Sequence, residues 1–357
     1  MGRGNNMRVL VTGNAGFIGS NLANALIDLG WEVVGLDNLS TGKKENINPK
    51  IEFHQVDLQD SCDRFFKGID YVYHLAAVPR IVKAIKDPVS AHRNNLSNTV
   101  KVLMSSKEAK VKKVIYASSA SVYGNAIDLP VSEDTPHSAL NPYGVQKYCG
   151  ELYCQVFSSL YNLSTVCLRF FNVFGPNQAT EGDYASVIGI FQRQEREGKH
   201  LTVVGDGEQR RDFTYVKDIV SGIIQATLRD VKHGIPINLC AGKNYSILEL
   251  AECFRGTITY LPTRPGEIKE SLGDNRRAKT LIKWEPNFDL ISGLKDMKED
   301  NQEETPDVIK QTIDYCNERL KANDPAWAHD VPQAEDIFYG GRTELENVLN
   351  FLKGLGK

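Results

Sequence analysis

Arg8–Thr12 (RVLVT), Gly13–Gly19 (GNAGFIG) and Ser20–Leu29 (SNLANALIDL) are the stretch that decides the fold. The first piece is short, apolar and rich in valine, which reads as a buried strand. The last places Ile18, Leu22, Ala25, Leu26 and Leu29 on one side of a helix from Phe17 to Leu29. Between them stand three glycines. Gly13 permits a tight turn, Gly16 lets backbone amides approach a pyrophosphate, and Gly19 lets the helix pack close on the strand. The helix start then offers unpaired N–H groups and a positive partial charge to phosphate. The spacing is GxxGxxG, not the GxGxxG of the general dinucleotide fingerprint.

Working outward, strands and helices alternate. Trp31–Leu36, Ile51–Val56, Tyr71–Leu75 and Lys113–Ala117 read as strands, Ala91–Glu108 and Tyr143–Leu163 as helices. Alternation implies crossover connections, hence an α/β fold: a Rossmann-type, doubly wound parallel sheet. Asp37 ends the second strand, 18 residues beyond Gly19. A carboxylate there accepts both ribose hydroxyls of an adenosine and repels a 2′-phosphate, which points to NAD over NADP. Gly42-Lys43-Lys44 lacks the glycine and Ser/Thr spacing of a Walker A loop.

After Leu168–Asn172 the alternation loosens. Val187–Glu197 reads as a helix, Leu201–Val204 and Phe213–Val216 as strands, and Ile219–Arg229 as an apolar helix. The expected organisation is an NAD-binding domain over 1–175, with a segment around 213–240 returning to it. A smaller C-terminal substrate lobe covers 176–297, and an extension without an assigned role covers 298–357. In that extension Lys298–Glu304 is strongly charged. Ile309, Ile313, Cys316 and Leu320 fall at helical spacing, and Leu345–Leu352 is again apolar-periodic.

Composition narrows the function. Of 357 residues 41% are hydrophobic and 24% charged, with a net charge of −3. A sizeable core can form, and there is no excess of Lys and Arg for nucleic acid. Anionic substrates must be caught by local cations and amides. The seven cysteines form no CxxC pair and read as reduced thiols. No metal-ligand spacing is present, and no apolar run approaches the roughly 20 residues of a membrane helix. A soluble cytoplasmic protein is expected.

The chain resembles the extended short-chain dehydrogenase/reductase family, and within it the NAD-dependent UDP-sugar 4-epimerases. The marks are GNAGFIG (13–19), LDNLSTG (36–42), VDLQD (56–60), HLAA (74–77), YASSASVYG (116–124), YGVQK (143–147), RFFNVFGP (169–176), RRDFTYVKD (210–218) and RPGE (264–267). They run from Met7 to about Met297. The resemblance implies that Gly13, Gly16, Phe17, Ile18, Gly19, Asp37, Asn38, Thr41 and Gly42 hold the dinucleotide. Asp57 and Leu58 would contact the adenine. Leu75, Ala76 and Ala77 would line the pyrophosphate and nicotinamide path, with Asn94 and Phe170 also on the cofactor wall.

The chemistry follows from residue types. Tyr143 and Lys147 are four apart on a helix and share a face. A free tyrosine, with pKa about 10, is a poor base at neutral pH. A nearby ammonium and the positive nicotinamide ring stabilise its phenolate; bringing it near neutrality requires roughly 4 kcal/mol. Ser119 matches the family's catalytic Ser/Thr and would hold the sugar hydroxyl that loses its proton. Ser118 and Ser121 could equally cap a turn or face substrate. Related dehydratases carry an acid directly after the catalytic Ser/Thr, and decarboxylases carry a Glu two residues on. Here Ala120 and Ser121 follow, and neither does acid–base work. Epimerisation remains.

On the substrate side the resemblance assigns Asn172, Arg211 and Arg264 to the diphosphate, a guanidinium offering phosphate a planar fork of donors. It assigns Val187 and Thr202 to the uridine pocket and Glu267, where the family has Asp, to the ribose. Ser271 is small where relatives restricted to plain hexoses carry an aromatic, and Ala77–Arg80 (AVPR) is similar to the N-acetyl-type enzymes. Both imply UDP-GlcNAc/UDP-GalNAc, with UDP-Glc/UDP-Gal as further substrates. A 4-epimerase of UDP-glucuronate or UDP-pentose is the alternative. A non-catalytic NAD-sensing protein would tend to lose Tyr143 or Lys147, and both are kept. The apolar arc Val145, Cys149, Leu152, Tyr153, Val156, Phe157 and Leu160, with the helix near Asn94–Leu103, implies a homodimer.

Overall fold

The structure, a computed structural model, describes residues 7–79, 81–182, 185–263 and 268–299. Arg80, Arg264, Glu267 and the apolar-periodic stretches beyond 299 lie outside these residues. Six strands, β1 (Arg8–Thr12), β2 (Glu32–Asp37), β3 (Glu52–Gln55), β4 (Tyr71–His74), β5 (Lys113–Ser119) and β6 (Thr165–Phe170), join Ile235–Leu239 in one sheet. Its order is β3-β2-β1-β4-β5-β6 and then Ile235–Leu239. Every pairing is parallel. The order reverses between β1 and β4, and a crevice opens outside the carboxyl ends of strands at such a point.

Helices cover both faces: α1 (Phe17–Asp28), α2 (Ile81–Lys86), α3 (Pro88–His92), α4 (Asn98–Glu108), α5 (Pro142–Tyr161), α6 (Val187–Arg196) and α7 (Val216–Leu228). Because side chains alternate along a strand, neighbouring residues feed different cores. Val9, Val11, Ile115 and Val166 pack with Leu22 and Leu26 of α1 and Ile219 and Ile223 of α7. Leu10, Val114, Tyr116 and Cys167 pack with Val102 and Leu103 of α4 and Phe157 of α5. Burial on both faces explains why these strands read as continuous apolar runs.

The helix expected over Ala91–Glu108 is interrupted. Between α3 and α4 lies a wide π turn, Arg93–Ser97. Its extra residue turns Asn95 inward. The Asn95 side chain accepts from Val78 N (2.7 Å) and donates to Val78 O (3.2 Å) and Gln146 Oε1 (2.8 Å). β5 runs two residues past the expected end, so Ser118 and Ser119 are its last residues.

Short strands pair outside the main sheet. Leu201–Val204 pairs in parallel with Ile258–Leu261, and Arg210–Asp212 pairs antiparallel with Asn244–Ser246. Residues 276–299 pack back on α7. Asp218 in its first turn accepts from Asn287 N (2.8 Å) and Phe288 N (3.0 Å), and its own carbonyl accepts from Trp284 Nε1 (2.9 Å). Among the described residues six cysteines are free thiols, no helix is long and apolar enough to cross a membrane, and no metal-binding cluster occurs.

Candidate active site

The glycine turn joins β1 to α1. Gly13 adopts φ +74°, and its N–H donates to Leu36 O (2.7 Å). Gly16 caps α1 with no side chain taking up the first amides of the helix. Gly19 sits so close to the turn that a Cβ there would lie 2.1 Å from Gly13 O. Asp37, at the end of β2, accepts from Ala15 N (3.1 Å) through one oxygen and Leu39 N (2.8 Å) through the other. Burial raises its pKa and the two amides oppose that rise. Each oxygen keeps a lone pair for a ribose hydroxyl. Asn38 donates to Asp57 (2.9 Å), which ties the loop after β2 to the one after β3.

A buried relay supports the next loop. Thr12 Oγ1 accepts from Ala76 N (3.2 Å) and is hydrogen-bonded to His74 Nδ1 (2.8 Å). Thr99 Oγ1 gives its proton to Asn95 O (2.6 Å) and accepts from His74 Nε2 (3.0 Å). Burial pushes the His74 pKa down to about 3, so the ring is neutral; with its proton on Nε2 for Thr99, Nδ1 accepts from the Thr12 hydroxyl. The relay holds Ala76 beside Gly13, where a Cβ on the glycine would be 2.9 Å from Ala76 Cα.

Tyr143 and Lys147 lie in the first two turns of α5, which Asn141 caps by accepting from Gly144 N (3.0 Å), with Pro142 at the first position. Both side chains are buried. Lys147 Nζ donates to Ala117 O (2.6 Å) and stands 5.8 Å from the Tyr143 ring centre. Burial pushes the ammonium down to about 8. Ser119 Oγ accepts from Ser121 N (3.1 Å) and donates to Ser121 Oγ (3.1 Å). Ser118 donates to the buried carboxylate of Glu151, which the sequence reading had not paired with it.

Gly13, Gly16, Asp37, Ala76, Ser118, Ser119, Tyr143 and Lys147 face one cavity of about 680 Å³. Of the expected cofactor residues, Gly13, Gly16, Phe17, Ile18, Gly19, Asp37, Asn38, Thr41, Asp57, Leu58, Leu75, Ala76, Ala77, Asn94 and Phe170 line it, as do Ser119, Ser121, Tyr143 and Lys147. Asn172, Val187, Thr202 and Arg211 line its far end. Gly42 is not on the wall. It packs on Ala15 and Asp37, where a Cβ would be 2.8 Å from Ala15 Cβ and 3.0 Å from Asp37 Oδ1. Its part is to let the loop close over the start of α1. Ser271 is not on the wall either; its N–H donates to Arg210 O (3.0 Å), in a segment running beside Arg210.

The wall also contains residues not expected from sequence: Lys43, Asn46, Asn98, Gln178 and Gln209. Asn46 donates to Ala15 O (3.1 Å) and Gln209 to Val204 O (3.0 Å). The place of Lys43 and Asn46 just after the LDNLSTG motif was a usable signal. Asp212, beside Arg211, is buried and pushed up to about 7 by desolvation. It accepts from Ala241 N (2.8 Å), Gly242 N (3.1 Å) and Gly273 N (3.0 Å), gathering two loops.

Comparison with known proteins agrees with this site. Residues 9–240 match the family model of the NAD dependent epimerase/dehydratase family. A putative UDP-glucose 4-epimerase of Methanocaldococcus jannaschii is 37% identical over 297 residues, 80% of this chain and 96% of that protein. Among solved structures, the UDP-N-acetylglucosamine 4-epimerase of Methanobrevibacter ruminantium, in complex with UDP-N-acetylmuramic acid, superposes with a TM-score of 0.77. It has 34% identity, and the match covers 88% of this chain and 99% of that one. The UDP-glucuronic acid 4-epimerase of Bacillus cereus, with UDP-glucuronic acid and NAD, gives 0.75 at 34% identity, covering 86% and 100%. The chain therefore belongs to the NAD-dependent epimerase/dehydratase family, with the fold of the extended short-chain dehydrogenase/reductases. It is an NAD-dependent isomerase of the UDP-sugar 4-epimerase kind. The residues present fit NAD: a turn whose Gly13 and Gly16 carry no Cβ, a helix start without a side-chain cap, and Asp37 with acceptors to spare.

Proposed function

We propose that the chain interconverts UDP-GlcNAc and UDP-GalNAc, and UDP-Glc and UDP-Gal as further substrates. One observation carries the choice of epimerisation. Among the described residues the carboxylates on the cavity wall are Asp37 and Asp57, both on the loops that would hold the adenosine. Beside Ser119 stand only Ala120 and Ser121, so no acid is placed there to expel a sugar hydroxyl. NAD, when bound, supplies a hydride acceptor that later returns the hydride. Ser119 holds the 4-hydroxyl of the sugar, Tyr143 takes its proton and later gives it back, and the Lys147 ammonium stabilises the phenolate. Asn172 and Arg211 support the diphosphate.

The choice of N-acetyl sugars rests on AVPR at 77–80 and on the small Ser271, which lies off the cavity wall in the segment beside Arg210, next to the wall residue Arg211. The test is product chromatography after incubation with UDP-GlcNAc, UDP-Glc, UDP-glucuronate and UDP-xylose, without added reductant. UDP-GlcNAc is expected to give UDP-GalNAc with the highest kcat/KM. Dominant turnover of the uronate or pentose would overturn that choice, and a decarboxylated or 6-deoxy-4-keto product would overturn epimerisation. A tyrosine side chain in Ser271→Tyr would extend from that segment toward the place proposed for the N-acetyl group. Overpacking costs about 1–3 kcal/mol, so the kcat/KM ratio of UDP-GlcNAc to UDP-Glc should fall by roughly one to two decades. An unchanged ratio removes Ser271 from sugar selection.

We also propose a homodimer. On α5 Val145, Leu152, Tyr153, Val156 and Leu160 are exposed, flanked by exposed Ile85, Val89 and Met104. Phe157, expected on the same arc, is buried in the core instead. A contiguous apolar face of this kind asks for a partner. Light scattering at micromolar concentration should give twice the mass of one chain; a monomer would overturn the proposal.

A further inference from the structure

Behind the catalytic helix lies a buried ion pair that the chemistry above does not use. Glu151 and Arg169 are each 1% exposed. Arg169 grips the carboxylate with two donors, Nε to Oε1 (2.9 Å) and Nη2 to Oε2 (2.7 Å). Ser118 donates to the same Oε1. Arg169 Nη1 donates to Tyr123 Oη (2.8 Å), and Tyr123 donates to Asn238 Oδ1 (2.6 Å). Asn238 Nδ2 donates to Val131 O and Asp274 O, both at 3.1 Å. Arg169 Nη2 also meets His137 Nε2 at 2.6 Å. Because a guanidinium only donates, this imidazole must be neutral there.

The position of the pair sets it apart from an ordinary staple. Tyr143, Lys147 and Glu151 succeed one another at four-residue spacing on α5 and so share a face. Ser118 precedes Ser119 at the end of β5. Glu151 thus grips both elements that carry the reacting groups, at residues next to those groups. Stability does not account for it, because a buried ion pair gains little over apolar residues of the same size.

We propose that Glu151, held by Arg169, is a positioning residue for the epimerisation, locking α5 against the end of β5 so that Ser119, Tyr143 and Lys147 meet in reacting geometry. Its charge has a second effect. Burial drives the Lys147 pKa down, and Cys154 and then the Glu151 anion oppose that; Tyr116 and Tyr143 also face the ammonium, and the nearby His74 is held neutral by burial. Removing the anion should discharge Lys147 at lower pH. The alkaline limb of the kcat profile should then move toward neutrality.

This inference rests on Tyr143 as the base, so Tyr143→Phe is run beside it. In the full chain with NAD, three further variants are compared with wild type: Ser118→Ala, Glu151→Gln and Glu151→Gln/Arg169→Met. The last removes both charges, so that no unpaired ion is left buried. Small misplacements of reacting groups cost up to about 100-fold. The expected result is kcat down by roughly 10–100-fold in the Glu151 variants and by about 5–10-fold in Ser118→Ala, with KM within about twofold. The double variant should regain melting temperature without regaining kcat. The alkaline limb should move to lower pH in Glu151→Gln. Any folded Glu151 variant that keeps wild-type kcat and alkaline limb overturns the proposal, whatever its stability. If neither folds, Ser118→Ala decides, and unchanged kcat overturns it. Normal turnover in Tyr143→Phe would instead bring down the assignment of the base.

Discussion

Tyr143→Phe is expected to lower kcat by about 10²–10⁴-fold, the usual cost of losing a positioned base, while NAD and the UDP-sugar still bind. The substitution removes one oxygen from a buried ring. That ring packs with Ala84 and Ala91, contacts that phenylalanine keeps. Lys147 retains its bond to Ala117 O, so the ammonium stays in place. Among the described residues no other side chain on the wall beside Ser119 is placed to replace the phenol. Ser119 and Ser121 are bonded to each other and have no base behind them. The carboxylates on the described wall are Asp37 and Asp57, on the loops after β2 and β3. The measurements are kcat and KM by product chromatography, NAD content of the denatured protein by mass spectrometry, and melting temperature. A large fall in kcat with the other three near wild type supports the assignment. Unchanged turnover would show that another group takes the proton.

How much of this was legible in the sequence depends on the range of the interaction. The glycine turn, Asp37 and the Tyr143–Lys147 pair are local patterns, in which spacing along one strand or helix fixes which side chains share a face. The structure gathers them on one wall. Interactions between elements were not legible. Four-residue spacing puts Glu151 on the face of Lys147, but it does not reveal that Arg169 and Ser118 meet it from β6 and β5. The π turn at Arg93–Ser97 was hidden for a related reason. A helical pattern drifts by only one residue there, yet that residue decides that Asn95 holds Val78. Gly42 was read as part of the dinucleotide wall because it lies in a binding motif. Its use is a close approach to Ala15 and Asp37, which only the packed structure displays.

Gly19→Ala is expected to have an effect comparable in size to that of Tyr143→Phe, but through packing. An added Cβ would lie 2.1 Å from Gly13 O, 2.8 Å from Gly13 C and 2.9 Å from Asn14 Cα. All three are backbone atoms of the turn, so no side chain can swing away. Either α1 lifts from β1 or the turn opens, and both spoil the amides that would face the pyrophosphate. Overpacking of this kind costs about 1–3 kcal/mol or more. A clear fall in melting temperature is therefore expected even without cofactor, with loss of most retained NAD. Gly16→Ala separates binding from packing. Its Cβ would meet only Gly13 O, at 3.2 Å, so α1 can stay where it is. The new methyl would instead stand at the helix start, where the phosphates must approach. That variant should melt close to wild type in the cofactor-free state and still hold NAD at least about tenfold more weakly, a loss of about 1.4 kcal/mol. Cofactor-free melting curves and NAD titrations on both variants decide the matter. If Gly19→Ala melts and binds like wild type, the close seat of α1 on the turn is not what holds the cofactor site together.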